Sequence, residues 1–211
     1  MKKFRYSEIT SENIYKKRRT FIKSLGLGLG SLTLSTLPLI NNSFADINQN
    51  QITSFKDITT YNNYYEFGTG KSDPHIRSQN FKTKPWNIKI EGEVEKPLEI
   101  SIDEILSLFP SEERILKLRC VEGWSMVIPW MGFSLSKLLS KVTLTSKAKF
   151  VKFESVYDPD QMKGQRYPVL NWPYKEGLRI DEAMHPLTTV VTGLYNKKLP
   201  NQNGAPLRIF V

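Results

Sequence analysis

Apolar and polar residues alternate in several short stretches of the chain. The clearest are WNIKIEGEV (86–94) and RILKLRC (114–120). A repeat of two residues is typical of a β-strand with one buried face, so we predict strands over both. In the second stretch Leu116, Leu118 and Cys120 share the inward face, which places the cysteine at the end of that strand.

Four other short apolar stretches are also predicted to be strands. They are KPLEIS (96–101), KFVKFESVY (149–157), LTTVVTGLY (187–195) and GAPLRIFV (204–211).

Helix signals occur between these strands. Ser101 and Glu104 form a capping-box pattern that opens a helix, which Pro110 would end. Ser134 is placed as the N-cap of a second helix, and DEAMHP predicts a helical turn that ends at Pro186. The apolar stripe of the second helix is Leu135, Leu138, Leu139 and Val142. Because strands and helices do not alternate in regular βαβ units, we predict an α+β fold.

The first 45 residues have the organisation of an export signal. A basic cluster (16–19) precedes a mildly apolar stretch (25–40), and the small residues Ser43 and Ala45 suit a signal peptidase. The apolar stretch is shorter than the roughly 20 residues that a membrane-spanning helix needs. We therefore interpret residues 1–45 as a cleaved signal.

Arg18 and Arg19 indicate which export route is used. Together with Phe21, Ile22 and Lys23 they fit the twin-arginine pattern, which is an address for exporting folded proteins. An ordinary secretory signal with two chance arginines is the alternative. Folded export is mainly useful when a cofactor must be inserted before the membrane is crossed, so the leader gives a first indication that the protein carries a cofactor.

The charge of the chain argues against a nucleic-acid-binding protein. Of 30 Lys and Arg residues 8 lie in the leader, and of 21 Asp and Glu residues 2 do, so the net charge of +9 falls to about +3 without it. No basic stripe with interleaved aromatic residues follows.

We interpret residues 46–60 as a flexible mature N-terminus and residues 61–211 as one domain.

Cys120 is the single cysteine of the sequence. One thiol excludes dithiol exchange, and the lack of a C-x-x-C-H pattern excludes c-type haem attachment. The segment GWSMV lacks the closing glycine of a serine-hydrolase elbow. His75 and His185 lie far from the cysteine in sequence, which disfavours a zinc site. Two interpretations remain: buried core filler, or a thiolate ligand for a redox metal carried on an organic cofactor.

Four long blocks and the leader occur together in one known family. The blocks are YNNYYEFG (61–68), EERILKLRCVEGWSMVIPWMGFSLSKLL (112–139), EGLRIDEAMHPLT (176–188) and LPNQNGAPLR (199–208). In these blocks the chain resembles the catalytic subunits of periplasmic molybdopterin-dependent protein-methionine-sulfoxide reductases, within the sulfite-oxidase superfamily. The resemblance covers almost the whole chain. It implies a sulfite-oxidase-type molybdopterin-binding fold with mixed sheets and short helices.

The same resemblance implies a Mo-molybdopterin cofactor and assigns site residues by position. Cys120 would be the catalytic residue and the molybdenum ligand. The residues that would hold the pterin are Asn62, Tyr65, Glu66, Ser155, Asn203 and Arg208. Ser155 stands where better-known relatives have a threonine. The arginine suits an anionic, phosphate-bearing group because its donors form a planar fork.

The reaction implied by the resemblance is oxygen-atom transfer from methionine sulfoxide, a repair of oxidised periplasmic proteins. The electrons would come from a membrane haem-binding subunit. Sulfite-oxidising relatives have arginines after their cysteine, whereas Glu122, Gly123 and Trp124 follow here. An acidic and apolar surface of this kind favours a neutral sulfoxide as the substrate. Sulfite-type oxidation at the same centre is the alternative. Residues 161–177, rich in Gly, Pro and aromatic side chains, are predicted to form a loop at the pocket rim.

The sequence ends at Val211 on an apolar strand, whereas the family continues into a basic segment that also binds the pterin. We therefore expect a domain that is incomplete at its C-terminus. A cofactor-free exported protein without catalysis is the interpretation from a different functional class.

The leader generates the first testable prediction. Replacing Arg18 and Arg19 by lysine (Arg18→Lys, Arg19→Lys) should leave the precursor in the cytoplasm, because the twin-arginine route reads this pair. Cell fractionation followed by immunoblotting measures the exported fraction. Normal export of the double variant through the general secretory route would contradict folded, cofactor-loaded export.

Overall fold

The computed structural model describes residues 52–211, which form short helices and nine short strands. The helices are α1 (Phe55–Thr60), α2 (Asp73–Arg77), α3 (Ile102–Leu108), α4 (Leu135–Leu139) and α5 (Ile180–Ala183), with 3₁₀ turns at Lys163–Arg166 and Asn201–Asn203. The strands are β1 (Asn87–Ile90), β2 (Leu98–Ser101), β3 (Glu112–Arg119), β4 (Ser125–Ser134), β5 (Phe150–Glu154), β6 (Lys175–Arg179), β7 (Thr189–Leu194), β8 (Lys197–Lys198) and β9 (Arg208–Phe210).

A five-stranded antiparallel sheet forms the centre of this part of the chain. Its strands follow the order β3-β4-β7-β8, and β9 also pairs with β7. Strands β1 and β2 form one separate antiparallel pair, and β5 and β6 form another. Antiparallel sheets joined by short helices in this irregular order confirm the predicted α+β class.

The alternating pattern predicted β3 correctly and placed Cys120 correctly beside it. In the β3–β4 pair Leu116 lies opposite Ile128 and Leu118 lies opposite Met126. Both leucines are half-buried and pack against the core. The strand ends one residue before Cys120, which is itself buried with 7% of its surface exposed.

Strand β4 is the main element that the sequence analysis did not predict. It contains Pro129, which has no N–H to donate, and Gly132, and both residues weaken a strand pattern. The register shifts between Met131 and Gly132, so the strand is irregular there. A Cβ atom at Gly132 would collide with the carbonyl oxygen of Val190 on β7, so this close approach requires glycine.

Other predicted boundaries change in the structure. The first predicted strand ends early, at Ile90, because Gly92 turns the chain with a φ of +94°. Ser101 Oγ accepts a hydrogen bond from the Glu104 N–H, which confirms the cap of α3. Ser134 precedes α4, but its hydroxyl donates to Pro186 O instead of capping the helix. The predicted loop 161–177 gives way to β6 at Lys175.

Two apolar cores pack against opposite faces of the central sheet. The helix-side core consists of Ile100, Ile105, Phe109, Phe133, Leu135, Leu138, Leu139, Ala183 and Val190. The site-side core consists of Ile58, Met126, Ile128, Trp130, Val191, Leu194 and Leu199. Neighbouring residues of β7, Val190 and Val191, belong to different cores because side chains alternate across a strand.

The folded domain begins before residue 61, which corrects the predicted boundary. Ser54 Oγ accepts from the Asp57 N–H and opens α1, and only 1% of the Ile58 surface is exposed. The Thr53 N–H donates at 3.0 Å to the carbonyl oxygen of Val127, which lies on β4. The prediction of a flexible segment is therefore wrong for residues 53–60, because burial of Ile58 and pairing of Thr53 fix it. The predicted leader (1–45) and residues 46–51 lie outside the described residues.

Across residues 52–211, every helix is too short or too polar to cross a lipid bilayer.

Helix α3 provides a test of the helix-side core. Ile105 has no exposed surface, whereas its neighbour Leu106 is 42% exposed. Ile105→Ala should lower the free energy of unfolding by about 2–5 kcal/mol, since it removes buried methylene groups and leaves a cavity. Leu106→Ala, the matched control on the same helix, should cost less than about 1 kcal/mol. Urea denaturation measures both, and equal losses would contradict this packing.

Candidate functional site

The Cys120 thiol is placed by a tight turn between β3 and β4. The Cys120 N–H donates to Trp124 O at 2.9 Å, and the Gly123 N–H donates to Cys120 O at 3.0 Å. Gly123 has a φ of +90°, a conformation that favours glycine. Val121, at the tip, is fully exposed while Cys120 is buried. The turn therefore directs the thiol toward the protein.

Two polar side chains lie beside the sulfur. Asn63 Nδ2 is 3.7 Å from Cys120 Sγ and is placed to donate to it. Glu122 Oε2 is also 3.7 Å from Sγ and is placed to accept from the thiol. The thiol thus has one amide donor and one carboxylate acceptor.

Glu122 is held by three donors from two parts of the chain. Tyr65 OH donates to Oε1 at 2.8 Å, Trp124 Nε1 donates to Oε2 at 2.9 Å, and Lys71 forms an ion pair with Oε1. Burial raises the pKa of Glu122, but the hydrogen bonds from Lys71, Trp124 and Tyr65 outweigh it and lower the pKa to about 2. Glu122 is therefore ionised at neutral pH, and Lys71 balances its charge.

A cleft opens next to this turn, above the site-side core. Its walls are Ile58, Tyr61, Asn62, Asn63, Leu118, Trp124, Met126, Ile128, Trp130, Asn203 and Arg208. The cleft is shallow and partly open to solvent, and its cavity volume is only about 10 Å³. A larger group would therefore bind from the open side. Asn63 lines the cleft and also lies 3.7 Å from the Cys120 sulfur, so the cleft and the thiol are parts of one site.

Asn62 and Asn203 are oriented by the same backbone carbonyl. The Nδ2 atom of each donates to Ile58 O at 3.0 Å. Both side chains are buried, and neither Oδ1 atom has a hydrogen-bond partner among residues 52–211. A buried amide oxygen without a partner is uncommon in folded proteins. The two residues therefore present free acceptors in the cleft wall.

Arg208 lies between two aromatic rings at the same cleft. Its guanidinium carbon is 5.2 Å from the ring centre of Tyr64 and 5.2 Å from that of Trp130. One terminal nitrogen donates to Asn203 O at 3.2 Å, while Nε has no partner in the described part of the chain. The packing is close: a Cβ at Gly204, whose φ is +101°, would collide with the Tyr64 hydroxyl.

The remaining predicted pterin residues occupy different positions. Tyr65 reaches the thiol through Glu122, as described above. The pKa of the Glu66 carboxyl is raised, because the effect of burial outweighs the hydrogen bond from its own backbone N–H and the charge of Arg208, which both lower it. Ser155 is not among the residues that line the cleft. Its hydroxyl accepts from the Tyr174 N–H at 3.1 Å at the end of β5, so here it fixes the neighbouring loop.

Loop 161–177 lies against the predicted pterin segment. The Gly164 N–H donates to Glu66 O at 2.8 Å. Several apolar side chains of this loop are exposed, including Tyr167 and Val169. None of its residues is among those that line the cleft, so its place at a pocket rim stays a prediction.

Three residues of the site were missed by sequence reasoning. Asn63 contacts the sulfur, Lys71 neutralises Glu122, and Trp130 lines the cleft beside Arg208. Asn63 directly follows the predicted Asn62, and that adjacency was a usable signal. Lys71 and Trp130 reach the site only through tertiary packing, so nothing local in the sequence marked them.

The two histidines do not join Cys120. His75 Nδ1 lies 3.4 Å from Gln202 Nε2, and His185 Nδ1 accepts from the Leu187 N–H. Within residues 52–211 no three His, Cys, Asp or Glu side chains cluster as a metal site would require. A metal at Cys120 would therefore need ligands that the described side chains do not supply, as a metal carried on a cofactor would have.

The unpartnered groups of the cleft fit a cofactor with both donors and acceptors. The free acceptors are Asn62 Oδ1 and Asn203 Oδ1, and the free donors are Arg208 Nε and Trp130 Nε1. A pterin offers ring donors and oxygen acceptors, and its phosphate is an anion that an arginine suits. The polar residues of the cleft thus match the group that the sequence analysis implied.

Comparison with known proteins agrees with this chemistry. Residues 75–211 match the oxidoreductase molybdopterin binding domain family. The chain is 50% identical over 219 residues to the protein-methionine-sulfoxide reductase catalytic subunit MsrP of Xanthomonas axonopodis pv. citri. It is 46% identical over 221 residues to the MsrP of Burkholderia mallei. Each alignment covers 97% of this chain and 67% of the relative.

Among solved structures, the sulfane dehydrogenase SoxCD of Paracoccus pantotrophus has a similar fold. The TM-score is 0.51 at 16% sequence identity, and the match covers 68% of this chain and 36% of that chain. At this identity the likeness concerns the fold alone. It agrees with the predicted sulfite-oxidase-type architecture.

The Glu122 network predicts how the stability of the cofactor-free protein depends on pH. Since the pKa of Glu122 falls from 4.5 to about 2 on folding, its contribution is fully present above about pH 4.5 and is lost as the pH falls to about 2. Glu122→Gln should therefore be less stable than the wild type at pH 6, and the difference should shrink toward pH 2.5.

Urea denaturation at pH 6, 4 and 2.5 measures this difference. Glu113→Gln, at an exposed position of β3, is the matched control. A gap between wild type and Glu122→Gln that stayed constant from pH 6 to pH 2.5 would contradict the network.

Proposed function

The chain belongs to the family of protein-methionine-sulfoxide reductase catalytic subunits, and from that premise we propose that it reduces methionine sulfoxide in exported proteins. The net reaction converts a sulfoxide, two electrons and two protons into a thioether and water. Its reactive centre would be Mo-molybdopterin at Cys120.

Each part of the site has a role in this proposal. Bound Mo-molybdopterin supplies the oxygen-atom transfer and accepts the electrons that drive it. Cys120 would bind the metal through its sulfur, and Asn63, 3.7 Å from that sulfur, would orient it. Asn62, Asn203 and Arg208 would hold the organic part through the unpartnered atoms of the cleft. Tyr65, which donates to Glu122, and Glu66, whose carboxyl feels the charge of Arg208, would be further contacts although neither lines the cleft.

The observation that carries the choice of substrate is the carboxylate beside the thiol. Glu122 is ionised and lies 3.7 Å from Cys120 Sγ. Its charge is compensated by Lys71, so this pair gives the site no excess of positive charge. An anion such as sulfite would therefore find no net positive charge at this pair and would gain little attraction there. A sulfoxide, which is polar and uncharged, does not depend on such attraction.

The location and the electron source belong to the same proposal. The twin-arginine pattern at Arg18 and Arg19 supports delivery of a folded, loaded protein to the periplasm. The relatives are named catalytic subunits, which implies another subunit. We place a membrane haem-binding subunit in that role, since the electrons must reach the periplasmic side. The substrates are then periplasmic proteins whose methionines have been oxidised.

Turnover by the molybdenum-loaded protein and its Cys120→Ser variant tests the proposal. With a reduced viologen as artificial electron donor, the wild type should consume methionine sulfoxide, and sulfite with an electron acceptor should give little turnover. Cys120→Ser should lose at least about 100-fold in sulfoxide turnover, because a neutral hydroxyl is a poor substitute for a thiolate ligand.

Melting temperature is the second readout for the same variant. If Cys120 were only core filler, Cys120→Ser would cost about 1–3 kcal/mol of stability and leave turnover at the wild-type rate. That pattern would contradict the assignment of the cysteine. Efficient sulfite oxidation by the wild type would instead contradict the choice of substrate while keeping the metal site.

A further inference from the structure

Trp130 is the largest side chain of the site-side core, and its polar atom is unsatisfied. The residue has no exposed surface, and its Nε1 has no hydrogen-bond partner among residues 52–211. An indole N–H can only donate. Buried donors nearly always have a partner, so an unpartnered one calls for an explanation. Trp130 lies on strand β4 and is one of the residues that line the cleft.

Two other tryptophans, Trp124 and Trp172, have a hydrogen-bond partner for the indole N–H. Trp124 Nε1 donates to Glu122 Oε2, and Trp172 Nε1 donates to Tyr167 O at 2.9 Å. Trp130 therefore differs from them although it is more deeply buried.

The neighbours of Trp130 indicate what it could bind. Arg208 stacks on its ring at 5.2 Å, and the Nε of this arginine also lacks a partner in the described part of the chain. Two donors, one of them cationic, thus lie together in one cleft. Such a pair suits an oxygen atom that carries full or partial negative charge.

We propose that Trp130 is a further cofactor-binding residue, whose indole N–H donates to an oxygen of the bound molybdopterin beside Arg208. This inference rests on the cofactor of the proposed function and does not depend on the substrate. The oxygen belongs either to the phosphate or to the pterin ring. In both cases Trp130 has a double role: its ring supports Arg208, and its N–H binds the ligand.

The direct test is the NMR signal of the indole N–H in protein labelled with ¹⁵N. Trp130→Phe identifies the signal, because that variant lacks it. On loading with molybdopterin in the oxidised, diamagnetic state, the Trp130 proton should move downfield, as expected for a new hydrogen bond. The Trp172 proton, which already has a partner, should stay in place. An identical Trp130 signal in loaded and cofactor-free protein would overturn the proposal.

Titration of the cofactor-free protein with inorganic phosphate distinguishes the two sources of the oxygen. A downfield shift of the Trp130 proton with phosphate alone supports the phosphate group. A shift that occurs only with molybdopterin supports the pterin ring.

Cofactor retention provides a second measurement. Trp130→Phe should lose molybdenum about tenfold faster than wild type during dilution and gel filtration, the factor expected from one hydrogen bond of roughly 1.4 kcal/mol. Trp172→Phe, which removes an indole whose N–H is already paired, should retain metal like the wild type. Equal loss from wild type and Trp130→Phe would contradict the contact. Neither readout requires turnover, so failure of this inference is distinguishable from failure of the proposed reaction.

Discussion

A single backbone carbonyl, that of Ile58, fixes the geometry on which the candidate site depends. It accepts from Asn62, which follows α1, and from Asn203, 145 residues away from Ile58, at 3.0 Å in each case. Joining segments so distant in sequence costs conformational entropy. Burial of Ile58 in the site-side core offsets this cost. Because both amide N–H₂ groups are used in this way, both amide oxygens are left for a ligand.

A second constraint, the Glu122 carboxylate, sets the electrostatics of the thiol. It ties the Cys120 turn to Tyr65 and Lys71, which come from the segment after α1. Without Lys71 an uncompensated negative charge would lie beside the Cys120 thiol, in a partly buried site where such charges are costly. The ion pair with Lys71 therefore allows the Glu122 carboxylate to lie beside the thiol. An unpaired cation at the same position would instead attract anionic substrates. Both constraints involve the segment around α1, so that segment is part of the site.

The sequence predicted those features that local patterns encode. Alternation along β3 placed Cys120 on a buried face, and the family resemblance placed Arg208 at the cleft. Strand β4 was missed because Pro129 and Gly132 interrupt its pattern, although pairing with β3 and β7 overrides them. Lys71 was missed because only the fold brings it to Glu122. Ser155, assigned by position in the family, pairs with its neighbouring loop, a contact that sequence alignment does not reveal.

The unpartnered polar atoms of the cleft couple cofactor binding to the stability of the fold. Two amide oxygens and two N–H donors of the cleft residues are buried without partners in the described residues. A buried polar group that stays unpaired typically lowers the stability of a folded protein by about 1–3 kcal/mol, so these groups lower the stability of the cofactor-free protein wherever solvent does not reach them. A ligand that satisfies them binds only the folded chain and therefore stabilises it. Trp130 takes part in both stability and binding. Its ring belongs to the site-side core, and its N–H is one of the donors that lack a partner in the described residues.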